Sequence, residues 1–150
     1  MSPILLPGKM ISENRIINLV EQHIQGTDIF LVEVWVKGGN TIRIHVDRPS
    51  GISIEECVEI SRFLNRNMDR EEEDYSLEVS SPGIGVPFKV KQQYEKNVGH
   101  EIEVIQTDGT QKKGTLESMD DAGISLKTHK GVFTLSFGEI KSAREIIKFS

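Results

Sequence analysis

The chain has 150 residues, 23 acidic against 18 basic, for a formal net charge of -5 at pH 7. That length allows one domain or two small ones, and 37% hydrophobic with 27% charged residues is a globular rather than a disordered composition. A single cysteine, Cys57, excludes a disulfide framework within the chain and a multi-cysteine zinc site.

The opening MSPILLPGK has an apolar core of only Ile4 to Leu6 with no charge before it, so it lacks the form of a secretory signal. Met10 begins a more conventional start, MISEN, so residues 1–9 are expected to be a disordered extension or the product of an upstream start codon. No apolar run approaches the ~18 residues of a membrane span, and a cytoplasmic protein with no membrane partner is expected. Ser12 is placed to cap a helix whose Ile16, Val20, His23 and Ile24 recur at helical spacing, and Gly26 can end it. IFLVEVWVK (29–37) and TIRIHVD (41–47) read as strands joined through Gly38-Gly39-Asn40. In the second strand Ile42, Ile44 and Val46 should face inward, and Arg43, His45 and Asp47 outward to solvent. After the break at Pro49, Ser50 and Gly51, Ser53 and Glu56 form a capping box. The helix behind it is expected to place Ile54, Cys57, Val58, Ser61, Leu64 and Met68 on one stripe. REEED (70–74) reads as a solvated turn and YSLEVS (75–80) as a third strand. This half is an α-β-β-α-β two-layer domain with both helices on one face of the sheet.

The second half changes character. A short helical or irregular piece near 88–97 precedes strand-sized segments at 100–107, 111–119, 123–128, 132–136 and 142–148. Asp108-Gly109, Asp120 to Gly123, Lys130-Gly131 and Gly138 separate them. Five short strands with tight turns predict a small closed barrel, so the fold class is α+β with domains at 10–87 and 88–150. Charge divides the same way. Residues 1–87 hold 8 basic and 14 acidic side chains, net -6, and residues 88–150 hold 10 and 9, net +1. An acidic front half disfavours non-specific nucleic-acid binding, which relies on Lys and Arg neutralising phosphates, and favours a basic partner.

No enzyme constellation emerges. Gly83-x-Gly85 lacks the third glycine of a dinucleotide loop and Pro87 follows it, so SSPGIGVP (80–87) reads as a turn. Cys57 lies on an apolar helix stripe, where a thiol is neutral and inert. His23, His45, His100 and His129 have no metal-ligand spacing. Glu55-Glu56 and Glu71 to Glu73 read as a helix N-terminus and a solvated turn. In the barrel, Lys112, Lys113, Lys127, Lys130, Lys141 and Arg144 are the candidate partner-binding residues, against the simpler reading of a solvated face. A general RNA-binding module stays open as the alternative, as does a small hydrolase or transferase using Cys57 or an acid pair.

The stretches LEVSSPGIGVPFK (77–89), IRIHVDRPSGISIEECVEISR (42–62) and LSFGEIKSAREI (135–146) stand in the order and spacing of one known family. On them the chain resembles the bacterial ribosome maturation factor RimP family. The resemblance implies an SH3-like or Sm-like barrel behind the α/β domain. It implies a non-enzymatic assembly factor, without cofactor, required for maturation of the small (30S) ribosomal subunit and acting by transient binding to pre-30S particles. It points to a basic small-subunit ribosomal protein near the decoding centre as partner, and leaves direct contact with 16S rRNA open. Ser80, Ser81, Pro82, Gly83 and Pro87 match the family's turn, whereas Gly85 and Val86 replace its usual Asp-Arg, so no charged role is carried to those two positions. A monomer is expected.

Overall fold

The computed structural model describes residues 11–68 and 74–147. The extension expected at 1–9 and residues 70–73 of the acidic turn lie outside them. The chain forms two compact units that part between Pro82 and Gly83.

In the first unit, helix α1 (Glu13–Ile24) begins where the Ser12 hydroxyl accepts the Asn14 N–H at 3.1 Å. It buries Ile16, Val20 and Ile24, spaced four residues apart. Strands β1 (Phe30–Lys37) and β2 (Thr41–Asp47) pair antiparallel. Their connection needs two left-handed residues in succession, which Gly39 (φ 76°) and Asn40 (φ 52°) supply. Helix α2 (Ile54–Asn67) carries the full capping box. The Ser53 hydroxyl accepts from Glu56 N–H at 3.1 Å, and the Glu56 carboxylate accepts from Ser53 N–H at 2.9 Å. Strand β3 (Ser76–Ser80) then lies parallel to β2, so the sheet order is β1-β2-β3. A parallel return requires a crossover, and α2 is that crossover.

The expected stripe on α2 is corrected by the packing. Cys57, Leu64 and Met68 are buried as expected, but the centre of the buried face is Ile60 at 0% exposure. Ile54 is 82% and Val58 40% exposed. The sequence offers apolar residues on two adjoining flanks of the helix, and only the flank over the sheet is covered. His45 is also corrected. Its position opposite the helices holds, yet it is half-buried, with its ring 4.8 Å from that of Trp35 in an edge-on contact.

The second unit has a short helix α3 (Lys91–Lys96), then β4 (Glu101–Gln106), β5 (Gln111–Met119), β6 (Gly123–Thr128), β7 (Gly131–Ser136), a 3-10 turn at Phe137–Glu139, and β8 (Ile140–Glu145). All pairings are antiparallel, in the order β7-β6-β5-β4-β8. A four-strand meander whose fifth strand returns beside the first is the SH3-like or Sm-like connectivity. Ile102, Val104, Leu116, Ile124, Leu126, Leu135 and Ala143, drawn from all five strands, share one core cluster, so the sheet must roll around them. Rolling brings backbones close at two glycines. A Cβ on Gly114 would stand 2.3 Å from the Lys127 carbonyl oxygen, and one on Gly123 2.0 Å from that of Leu135.

The division falls five residues before the expected boundary at 87, and the reason is local. Phe88 N–H donates to the Ala143 carbonyl at 2.8 Å, and its ring meets Tyr94 at 4.9 Å. A Cβ on Gly85 would touch Ile147 at 3.0 Å. Residues 83–87 therefore belong with the barrel. Because that stretch carries no charge, the division of charge between the units is unchanged.

Candidate docking surfaces

The first unit presents a groove of about 210 Å³ between α2 and the end of β3, with Ser53, Ile54, Cys57, Val58, Val79 and Ser80 among its lining. The capping box fixes its floor, because Ser53 is both cap and wall. Arg48 anchors the same corner by bonding the Glu56 carboxylate and by donating to Asp28 at 2.8 Å. The Ser53 N–H bond, aided by Arg48, holds the Glu56 carboxyl below the ordinary glutamate range. At Cys57 burial acts the other way, pushing the thiol up, with Glu56 and Asp47 adding to the rise. A neutral thiol in that position is a packing group.

The family turn follows directly. Ser80 ends β3 half-buried, Ser81 is exposed on the groove wall, and Pro82 closes the first unit. Gly83 opens the second unit, and Pro87 is exposed one residue before the Phe88 anchor. At the position where the family usually has Asp, Gly85 adopts φ +79°, a backbone conformation that glycine takes without strain.

On the other face of the sheet, Trp35, Arg43, His45 and Glu78 come together across three strands. Arg43 Nε is 3.1 Å from a Glu78 oxygen. Burial holds the His45 imidazole below its ordinary range, against the pull of Glu33 and Glu78 and with the help of Arg43. His23 packs instead on Phe63, ring centres 4.8 Å apart, between α1 and α2. Among the described residues no three His, Cys, Asp or Glu side chains are grouped to hold a metal ion.

The barrel separates the six candidate basic residues into two kinds. Lys113 and Arg144 flank Glu103 across the ladder from β5 and β8. Glu103 is only 6% exposed, and Arg144 reaches it at 2.8 Å while Lys113 stands at 3.9 Å. Lys112 lies with its ammonium 4.6 Å from the Phe133 ring centre. These three are committed to the barrel itself. Lys127, Lys130 and Lys141 are exposed, on β6, in the β6–β7 turn and at the β8 bulge, and form no ion pair among the described residues. Sequence reasoning missed Glu103. Its signal is faint: it sits between the inward Ile102 and Val104, on the parity of an outward residue, and is buried by the long side chains of its neighbours. It also missed that Ile54 and Val58 form a lip and not core.

The connectivity of the two units defines the class, an α/β unit followed by an SH3-like or Sm-like barrel. Comparison with known proteins gives the family. Residues 18–85 match the RimP N-terminal domain. The ribosome maturation factor RimP of Porphyromonas gingivalis (strain ATCC 33277) is 36% identical over 118 residues, 79% of this chain and 78% of that protein. Proteins of the same name from Christiangramia forsetii and Flavobacterium psychrophilum are 36% and 33% identical, over 68% and 74% of this chain and 66% and 73% of their own length. Among solved structures, that of the pleiotropic translational regulator Hfq aligns with 37% of this chain and 88% of its own, at 21% identity and a TM-score of 0.36. The chain belongs to the RimP family of ribosome maturation factors. No helix among the described residues is long and apolar enough to cross a membrane.

Proposed function

We propose that this protein acts in the cytoplasm in maturation of the small ribosomal subunit, binding immature 30S particles transiently and engaging a basic small-subunit ribosomal protein near the decoding centre. Family membership supports the general role. The observation that carries the choice of partner is the charge division: the first unit holds 8 basic and 14 acidic side chains, and the second 10 and 9. Two of the first unit's arginines, Arg43 and Arg48, are already paired with Glu78, Asp28 and Glu56. The acidic excess is therefore left for a cationic surface, while Lys127, Lys130 and Lys141 remain available for phosphate. Binding needs no chemistry on the partner. Release follows when the mature particle offers a competing surface of higher affinity.

Co-sedimentation on sucrose gradients with free 30S, 50S and complete 70S particles tests this reading. Selective travel with free 30S, weakening as salt rises, is expected. Absence from every ribosomal peak at low salt overturns it. Equal affinity for random RNA would assign a general RNA-binding role instead.

A further inference from the structure

We infer that a cavity on the outer face of β5, β6 and β7 is a receptor site for one basic side chain, best an arginine, of a partner polypeptide. The inference gives the basic partner proposed above a contact point on the barrel and rests on that reading.

The ladder builds the cavity, whose volume is about 440 Å³, within the range of ligand sites. Ser118 pairs with Ser125 and Ser125 with Thr134, so three hydroxyls stand in one row across the three strands. All three line the cavity. In the next row Gly123 pairs with Ser136. Crowding against the Leu135 carbonyl forbids a side chain at 123, which leaves this part of the lining bare. Met119 and Ala122 also border the space and offer apolar surface to the stem of a long side chain.

Two carboxylates line the same cavity, and each has one oxygen occupied and one free. Asp120 Oδ1 accepts from the N–H groups of Ala122 and Gly123 at 2.8 and 3.0 Å. Glu139 Oε1 accepts from the N–H and hydroxyl of Ser136 at 2.9 and 3.0 Å. Among the described residues neither Asp120 Oδ2 nor Glu139 Oε2 takes a hydrogen bond or an ion pair. The main-chain bonds hold both groups in place before a ligand arrives and keep them ionised.

The lining selects the occupant. Among the described residues no Lys, Arg, His or aromatic side chain borders the cavity. Lys91, the cation that acts on Asp120, is held outside it: its ammonium bonds the Asp121 carbonyl at 2.9 Å and sits 5.0 Å from the Phe137 ring centre. Lys141 follows Glu139 by two residues and does not line the space. Two further acids add to the field, Asp121 beside Asp120 and Asp108, which acts on Glu139. The side chains offered to a ligand are therefore hydroxyls and ionised carboxylates, with no cation for a phosphate and no ring for a base. A cation fits them. Arginine fits best, because five N–H donors around one planar head serve several acceptors at once.

The test is a titration of the full ¹⁵N-labelled chain with the capped tripeptide Gly-Arg-Gly, its citrulline counterpart, Gly-Glu-Gly and a short single-stranded RNA. The arginine peptide is expected to shift the Gly123, Ser125 and Ser136 amides. Citrulline, which keeps the shape and loses the charge, should leave them unmoved, as should Gly-Glu-Gly and the RNA. The double variant D120N/E139Q keeps an oxygen to accept from each turn's N–H groups, so the turns stay formed, and it should weaken arginine binding at least about tenfold. No shift at those amides in wild type, an equal response to citrulline, a response there to RNA, or undiminished binding by the double variant overturns the site. The citrulline comparison needs no variant and decides the matter even where the double variant fails to fold. If wild type travels with 30S but these amides stay still, the site falls and the proposed function stands. If the arginine peptide binds as described but no ribosomal particle does, the site stands and the 30S assignment falls.

Discussion

Arg144 Nε donates to one oxygen of Glu103 at 2.9 Å across the β8–β4 ladder, and its Nη2 lies 2.8 Å from the same oxygen. The carboxylate is nearly sealed while the guanidinium is half exposed, with side chains 7% and 54% accessible. Removing the arginine leaves a buried acceptor whose remaining cation, Lys113, stands 3.9 Å away. Arg144→Ala should therefore cost about 1–3 kcal/mol, below the full penalty of a sealed pair because water reaches Arg144. Lys113→Ala should cost under about 1 kcal/mol, as for an exposed ion pair. Chemical denaturation of both variants checks the ranking, and equal losses would contradict it.

The same geometry decides which charge reversals report on partner binding. Lys112 is held over Phe133 and Lys113 serves Glu103, so reversing either confounds binding with folding. Lys127, Lys130 and Lys141 are the clean positions. A triple Glu variant at these sites should keep its Tm within a few degrees while losing most of its co-sedimentation with 30S at moderate salt. Unchanged sedimentation would move the contact off these barrel residues.

Much of this architecture is legible in the sequence, because it rests on local signals. The capping box at Ser53, the alternation of Ile42, Ile44 and Val46, and the Gly39-Asn40 turn each act within a few residues. What the sequence hides depends on distant partners. Glu103 and Arg144 are 41 positions apart, and only the ladder register makes them neighbours. His45 reads as solvent-facing by alternation, yet Trp35 on β1 partly covers it. On α2 two apolar flanks compete, and only the sheet beneath decides that Ile60 is core and Ile54 is not. The surfaces that choose partners are hidden for the same reason.

The turns make acid the condition that loosens this protein. Main-chain N–H bonds from Ser53, Thr110, Ala122 and Ser136 respectively hold the carboxyls of Glu56, Asp108, Asp120 and Glu139 below their ordinary values. A depressed folded value means that the ionised form is favoured by folding. The contribution is then whole above the unfolded carboxylate range, about pH 4–5, and is lost as pH falls through the lower folded values. Ser53→Ala removes the cap hydroxyl but keeps the main-chain N–H that donates to Glu56, so it should cost about 1 kcal/mol at neutral pH while leaving most of the lowering of the Glu56 carboxyl in place. A carboxyl-carbon NMR titration of Glu56 beside a thermal melt measures both, and a Glu56 returned to the ordinary range would assign its shift to the Ser53 hydroxyl instead of the main-chain N–H.

Backbone crowding in the barrel predicts a contrast between glycines. Gly123→Ala must place a methyl 2.0 Å from the Leu135 carbonyl oxygen and 2.8 Å from the Ser136 Cα, both backbone atoms that cannot swing aside. A loss of at least about 2–3 kcal/mol is expected. Gly38→Ala meets nothing within 4 Å and has no left-handed φ, so it should be neutral or up to about 1 kcal/mol stabilising. Gly85→Asp restores the residue usual in the family at a position with φ +79° and Ile147 at 3.0 Å, so it should fall between them. Urea midpoints of the three variants at constant m-value give the order. A Gly85→Asp protein as stable as wild type would mean that residues 83–87 can leave Ile147 without cost.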